Sequence, residues 1–115
     1  LDLKITHPEV ARFFFTRAEA SETVVEALLN AQNGETYIKE MKAARIHDIM
    51  AIIKKKENFE VMGLFPGEKI HEDLLAPSEI ASCFYEKGFF IIRPGKTNPN
   101  PPKVHNTANA TYFTR

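Results

Sequence analysis

A Pro-Gly pair set between a strand-like run and a charged run limits this chain more than any other feature. Phe59-Glu60-Val61-Met62 reads as a strand, and Gly63-Leu64-Phe65-Pro66-Gly67 stops it. Pro66 fixes its own φ and disfavours a helical Phe65, while Gly67 permits a tight bend. Glu68 then falls where a carboxylate suits the first turn of a helix, so a helix is predicted from Glu68 to about Leu75, halted by Pro77. Strand-turn-helix junctions are where α/β proteins place ligand contacts. Leu64, Ile70 and Leu74 are read as core.

The rest of the chain supplies elements around that junction. Leu1 to Ile5 alternates as a strand and Thr6-His7-Pro8-Glu9 turns the chain. Arg12-Phe13-Phe14-Phe15 is an apolar run too short to assign by periodicity. Thr16 and Glu19 have capping-box spacing, which starts a helix near Arg17. Val24, Val25, Leu28 and Leu29 give that helix one apolar face, and Asn33-Gly34 is expected to end it in the left-handed conformation. Glu35 to Met41 reads as a strand, and Ala44 to Lys55 as a second amphipathic helix through Ile46, Ile49, Met50 and Ile53. Lys54-Lys55-Lys56 closes that helix, where cations suit the dipole and otherwise form a solvated face.

Ser78 and Glu79 can start another short helical turn. Ser82 to Tyr85 and Phe89 to Arg93 flank Glu86-Lys87-Gly88 as a hairpin. From Pro94 on, four prolines with Gly95, Asn98 and Asn100 make regular structure improbable, so this tail is either loose or draped over another surface. The expected fold class is α/β, a small sheet with packed helices and a late β-hairpin. Residues 1–94 are expected to form the folded unit and residues 95–115 an irregular tail. Strand order is left open.

Composition narrows the function. A chain of 115 residues with 43% hydrophobic and 26% charged residues has the make-up of one globular domain. Fifteen Lys and Arg balance fifteen Asp and Glu, so no net basic field attracts nucleic acid or an anionic membrane. An anionic ligand must be gripped locally. The single Cys83 excludes an intrachain disulfide and a multi-cysteine zinc site; it reads as a small buried hydrophobe and fits a reducing compartment. His7, His47, His71 and His105 lack a short metal-ligand spacing, so no metal site is expected. No membrane span or signal-peptide pattern is visible, and a cytoplasmic protein is the default. Neither a Gly-x-Gly-x-x-Gly nor a Walker loop is present, nor a Gly-x-Ser-x-Gly elbow, and no complete active site can be assembled. The chain opens at Leu1 rather than methionine, as a fragment, a processed product or an excised domain would.

Five segments, in order, resemble the polysaccharide-biosynthesis branch of the extended short-chain dehydrogenases, which contains UDP-N-acetylglucosamine 4,6-dehydratases and their epimerase relatives. Arg12-Phe13-Phe14-Phe15-Thr16 with Glu19-Ala20 is similar to that family's Thr-Arg-Phe-Phe-Met-Thr...Glu-Ala segment, and Gly34 to Ile38 to its Gly-Glu-Ile-Phe-Val strand. Gly63 to Glu72 is similar to Gly-x-Arg-Pro-Gly-Glu-Lys-x-x-Glu. Phe89 to Pro94 resembles Tyr-Tyr-Val-Ile-Arg-Pro, with His105-Asn106-Thr107 like a terminal Ser-His-Asn-Thr.

The resemblance implies a C-terminal substrate domain that binds a UDP-sugar. NAD(P) and the catalytic Tyr-x-x-x-Lys pair would lie on an N-terminal Rossmann domain, so these residues alone would bind no cofactor and be inactive; a homo-oligomer is compatible. Arg12 would lie near the diphosphate, a role suited to a planar, always charged guanidinium. Where the family has Arg before Pro-Gly-Glu-Lys, this chain has Phe65, which cannot replace the charge but can stack on a base or sugar. Lys69 would supply a point charge, and Glu68 would accept hydrogen bonds from sugar or protein groups. The substrate-binding candidates are therefore Arg12, Phe65, Glu68 and Lys69, with no catalytic residue. The alternative is a non-catalytic interaction or assembly module derived from such a domain.

Overall fold

The computed structural model describes residues 4–55 and 58–114. Among the described residues, nine regular elements run in the order β1 (Lys4–Ile5), β2 (Ala11–Phe14), α1 (Arg17–Asn30), β3 (Thr36–Lys39), β4 (Lys42–Arg45), α2 (Ile46–Lys54), β5 (Glu60–Val61), β6 (Cys83–Glu86) and β7 (Phe89–Ile92). Short 3-10 helices cover Pro77–Ser82 and Thr107–Asn109. The strands form three small sheets: β1 parallel to β5, β2 antiparallel to β4, and β3-β7-β6 with β7 central. The α/β class read from the sequence is the class observed. Leu1 to Leu3 of the expected first strand lie outside the described residues, as does Lys56 of the lysine run.

Local sequence explains most starts and stops. The capping box is present: the Glu19 N–H donates to Thr16 Oγ1 at 3.1 Å and the Thr16 N–H to Glu19 Oε1 at 3.0 Å, so α1 begins at Arg17 as expected. It ends earlier than Asn33-Gly34, with an extended Ala31 as cap. Gly34, at φ 85°, instead serves a turn closed by the Glu35 N–H on the Gln32 carbonyl at 3.1 Å. In the hairpin, Lys87 and Gly88 both have positive φ, 51° and 83°, which is the two-residue turn whose twist matches paired strands.

Two expectations fail for tertiary reasons. Lys42–Arg45 is a strand, where the sequence assigns Lys42 and Ala43 to no element and predicts Ala44 and Arg45 as the opening of the second helix. Its two alanines carry no strand preference, but they let β2 close on one side and the tail on the other. Phe13 pairs with Ala43, which is fully buried, and Ala43 exchanges backbone bonds of 2.9 and 3.0 Å with Thr111 and Phe113. The helix expected over residues 68–75 is absent. Its backbone groups are taken by neighbours: the Ala11 N–H donates to the Ile70 carbonyl at 2.9 Å, and the Leu74 and Leu75 N–H groups reach the His105 carbonyl at 2.8 and 3.1 Å. A helix confined between Pro66 and Pro77 cannot recover its nucleation cost against that ready supply of partners.

The tail is draped, not loose. Asn98 bonds Ala81 and Cys83, and Thr107, fully buried, donates its N–H to the Glu72 carbonyl at 3.0 Å. The core under the three-stranded sheet is Leu75, Cys83, Phe90 and Ile92, edged by Ile38, Leu74, Ile80 and Val104. Cys83 is wholly buried, and burial pushes its thiol pKa up, as befits a structural rather than a reactive cysteine.

The molecule nonetheless stays open. Its radius of gyration of 16.7 Å exceeds the roughly 13 Å expected of a compact domain of this length. Its accessible surface of 7967 Å² exceeds the roughly 6400 Å² expected for its mass. Helix α1 buries no residue; Leu28 and Leu29 are 80% and 75% exposed, so the apolar face read from the sequence is left largely exposed.

Candidate functional site

The sequence candidates fall on two segments, β2 and the loop after Pro66, and the fold binds these edge to edge. The loop begins as a turn closed by the Glu68 N–H on the Phe65 carbonyl at 3.0 Å, with Pro66 and a left-handed Gly67, φ 80°, at its centre. Beyond it the chain runs beside β2. Arg12 sends Nη1 to the Ala11 and Ile70 carbonyls at 2.7 and 3.1 Å and Nη2 to the Lys69 carbonyl at 2.9 Å. Glu72 answers from the loop side, its Oε1 accepting the Phe13 N–H at 3.1 Å. Each segment therefore clamps the other with one long side chain.

The tail closes the assembly from behind. Thr107 Oγ1 accepts the Glu72 N–H at 3.0 Å and lies 2.9 Å from His71 Nδ1. The Tyr112 hydroxyl donates to the Thr107 carbonyl at 2.8 Å, and burial raises its pKa. Glu72 and Thr107 were not singled out from sequence as site residues. Their signal was their place inside quoted motifs; the contacts that explain them span 59 and 35 residues.

The four candidates differ in readiness. Arg12 faces the loop, but three of its N–H donors are committed to carbonyls; only Nε–H and one Nη2–H have no bond among the described residues. Lys69 extends outward in an exposed ion pair with Asp73 at 2.9 Å. Phe65 is 55% exposed and Leu64 40%, so Leu64 is not the core residue expected, whereas Leu74 does edge the core. Glu68 is the unusual one: its Oε1 is buried and has no hydrogen-bond partner. A buried oxygen left unpaired costs about 1–3 kcal/mol, so a donor brought to it would be stabilising. None of the four lines the concave surfaces formed around β3, β7 and α2. They sit on an open wall.

A separate polar cluster joins two other quoted motifs. Arg93 pairs with Glu35 and Glu86, each at 3.0 Å, and its guanidinium lies 4.9 Å from the centre of the Phe84 ring. The pairing lowers the Glu86 pKa and raises that of Arg93. β2 passes into α1 through Phe15-Thr16, a capping box without a glycine for close approach of a pyrophosphate. No group of three metal-ligating side chains occurs among the described residues, and none of their helices is long and apolar enough to cross a membrane.

Comparison with known proteins adds the family. A profile described as polysaccharide biosynthesis protein matches residues 1–94. The chain is 40% identical over 92 residues to the capsular polysaccharide biosynthesis protein CapD of Staphylococcus aureus, covering 72% of this chain and 15% of that one. It is 28% identical over 124 residues to an uncharacterised membrane protein of Methanocaldococcus jannaschii, covering 96% and 37%. It is 20% identical over 93 residues to the inverting UDP-N-acetylglucosamine 4,6-dehydratase of Campylobacter jejuni, covering 81% and 28%. The chain thus spans well under half the length of these relatives. Among solved structures, Pen from Bacillus thuringiensis superposes with a TM-score of 0.76 at 26% identity, over 98% of this chain and 38% of that one. The relatives include sugar dehydratases and epimerases, and the chain belongs to the polysaccharide biosynthesis protein family that its motifs resemble.

Proposed function

We propose that these residues are the substrate-binding, C-terminal portion of an NAD(P)-dependent UDP-sugar 4,6-dehydratase or epimerase, a lyase-type activity in capsule, lipopolysaccharide or glycan synthesis. Residues 1–94 would form the binding unit and residues 95–115 the tail that braces it, in a cytoplasmic enzyme. The observation that carries this reading is the mutual clamp between β2 and the loop after Pro66. Arg12 and Glu72 hold together the two motifs that the family places around its sugar nucleotide.

In this reading the wall supplies binding and orientation, not bond-making. The remaining N–H groups of Arg12 and the Lys69 ammonium meet the diphosphate, Phe65 stacks on the base or sugar, and the unpaired Glu68 Oε1 accepts from a hydroxyl. The cofactor, held outside these residues, would supply oxidation at the sugar C4 and return of hydride around loss of water between C5 and C6. The Phe65 ring in place of the family arginine removes one charge-assisted contact, worth about 1.5–3 kcal/mol, so affinity for a UDP-sugar is expected to be roughly ten- to a hundredfold below that of an arginine-bearing relative.

A second reading is favoured by the exposed apolar face of α1 and by the excess accessible surface. In it the chain is a non-catalytic module that associates through that face. Calorimetry with UDP and UDP-N-acetylglucosamine separates the two. Binding that weakens at least tenfold in Lys69→Ala or Glu68→Ala supports the substrate-binding reading. Silence toward both ligands, together with a self-associated state in sedimentation, supports the module and removes the first.

A further inference from the structure

The three-stranded sheet has a second face. Ile38, Phe90, Ile92 and Cys83 turn toward the aliphatic core, so by strand alternation Tyr37, Phe89 and Ile91 turn the other way. There they floor a groove of about 490 Å³, bounded by the C-terminal end of α1, the turn after it and the β6–β7 hairpin. That volume lies in the range of small-molecule sites, and it is separate from the wall around Arg12.

The lining has a particular chemistry. The Tyr37 and Phe89 rings lie 5.8 Å apart, tilted at 53°, and give the floor an aromatic corner. Charge on the walls cancels: Glu26, Glu35 and Glu86 face Lys87, Arg93 and Lys96. Arg93 is already paired with two carboxylates, Glu35 and Glu86, at 3.0 Å, which offset its charge toward a phosphate. Gln32, Asn33 and Tyr37 also line the groove, and no hydrogen bond among the described residues engages their side-chain polar groups. An anion gains little from balanced walls, and a purely apolar ligand would strand these donors and acceptors. A sugar ring, apolar on its C–H face and hydroxylated at its rim, matches both the aromatic floor and the neutral polar walls.

We propose that this groove binds a neutral saccharide unit, a hexose or N-acetylhexosamine ring, at a position distinct from the wall that would take a diphosphate. The proposal does not depend on the UDP-sugar reading. The test is amide chemical-shift mapping on the whole 115-residue chain with the neutral disaccharide N,N′-diacetylchitobiose, compared with inorganic phosphate, glucuronate and UDP. Shifts are expected at Tyr37, Lys87, Gly88 and Ile91, with a dissociation constant on the order of 1 mM. Saturating UDP should leave them in place, and glucuronate should bind no better than the neutral sugar.

Asn30→Arg fills the groove from the exposed end of α1 without touching the sheet, and should weaken disaccharide binding at least tenfold while retaining the circular dichroism spectrum. Tyr37→Ala should do the same, with thermal melting reporting whether β3 still pairs. The proposal is overturned if the disaccharide produces no shifts at tenfold above the expected constant. It is equally overturned if shifts cluster at Arg12 and residues 65–69, if UDP or phosphate displaces the sugar, or if Asn30→Arg leaves affinity unchanged.

Discussion

Replacing Arg12 by alanine tests whether the β2–loop clamp holds the site together. The variant deletes two cross-chain bonds, to the Ile70 carbonyl at 3.1 Å and the Lys69 carbonyl at 2.9 Å, and one local bond to Ala11. The local bond spans adjacent residues and contributes little to tertiary stability. The two long-range bonds carry a charged donor but are partly open to solvent, so about 1 kcal/mol each is a fair figure and about 2 kcal/mol their sum. A chain of this length has a total stability of roughly 6–17 kcal/mol, so the loss is a sizeable fraction of it. With a urea slope of about 1.5 kcal/mol/M, the unfolding midpoint should fall by about 1.3 M. Arg12→Lys, which can serve one carbonyl, should lose about half as much. Equilibrium urea unfolding followed by circular dichroism measures both. A midpoint for Arg12→Ala within about 0.3 M of the parent would refute the clamp, as would Arg12→Lys behaving like the parent.

Three further outcomes follow from local geometry. Thr107→Val keeps the shape of a fully buried side chain but leaves the Glu72 N–H unpaired, and should cost about 1–3 kcal/mol in the same assay; a loss below about 0.5 kcal/mol would show that water replaces the hydroxyl. Lys87→Asn places a residue tolerant of left-handed backbone at φ 51° and should stabilise the hairpin by about 0.5–1 kcal/mol, read as a raised melting temperature. The Glu86 pKa is lowered chiefly by its hydrogen bond from Arg93, so its contribution is present above the ordinary carboxylate value and fades as pH falls through the lowered one. Unfolding midpoints across that acid range should therefore decline less steeply in Glu86→Gln; parallel declines would assign no role to the pair.

Legibility in the sequence followed the range of the interactions. The start of α1 was readable because Thr16 and Glu19 satisfy each other across three residues. The β6–β7 hairpin was readable because Gly88 stands in its turn. The strand at Lys42–Arg45 was not, since its alanines become a strand only between β2 and the tail. The missing helix after Glu68 has the same cause: partners at Ala11 and His105 lie far away in the chain. Family resemblance grouped Arg12 with Phe65, Glu68 and Lys69 as candidates for one ligand. The carbonyl-directed use of the guanidinium is a finding of the structure alone.

Amide shift mapping with UDP-N-acetylglucosamine asks whether β2 and the loop after Pro66 form one wall of a sugar-nucleotide cleft. Saturable shifts are expected to concentrate at Arg12, Phe65, Glu68 and Lys69, with affinity reduced at least tenfold by Glu68→Ala. Saturable binding whose shifts leave those four residues unmoved, or no binding at all, would contradict that assignment.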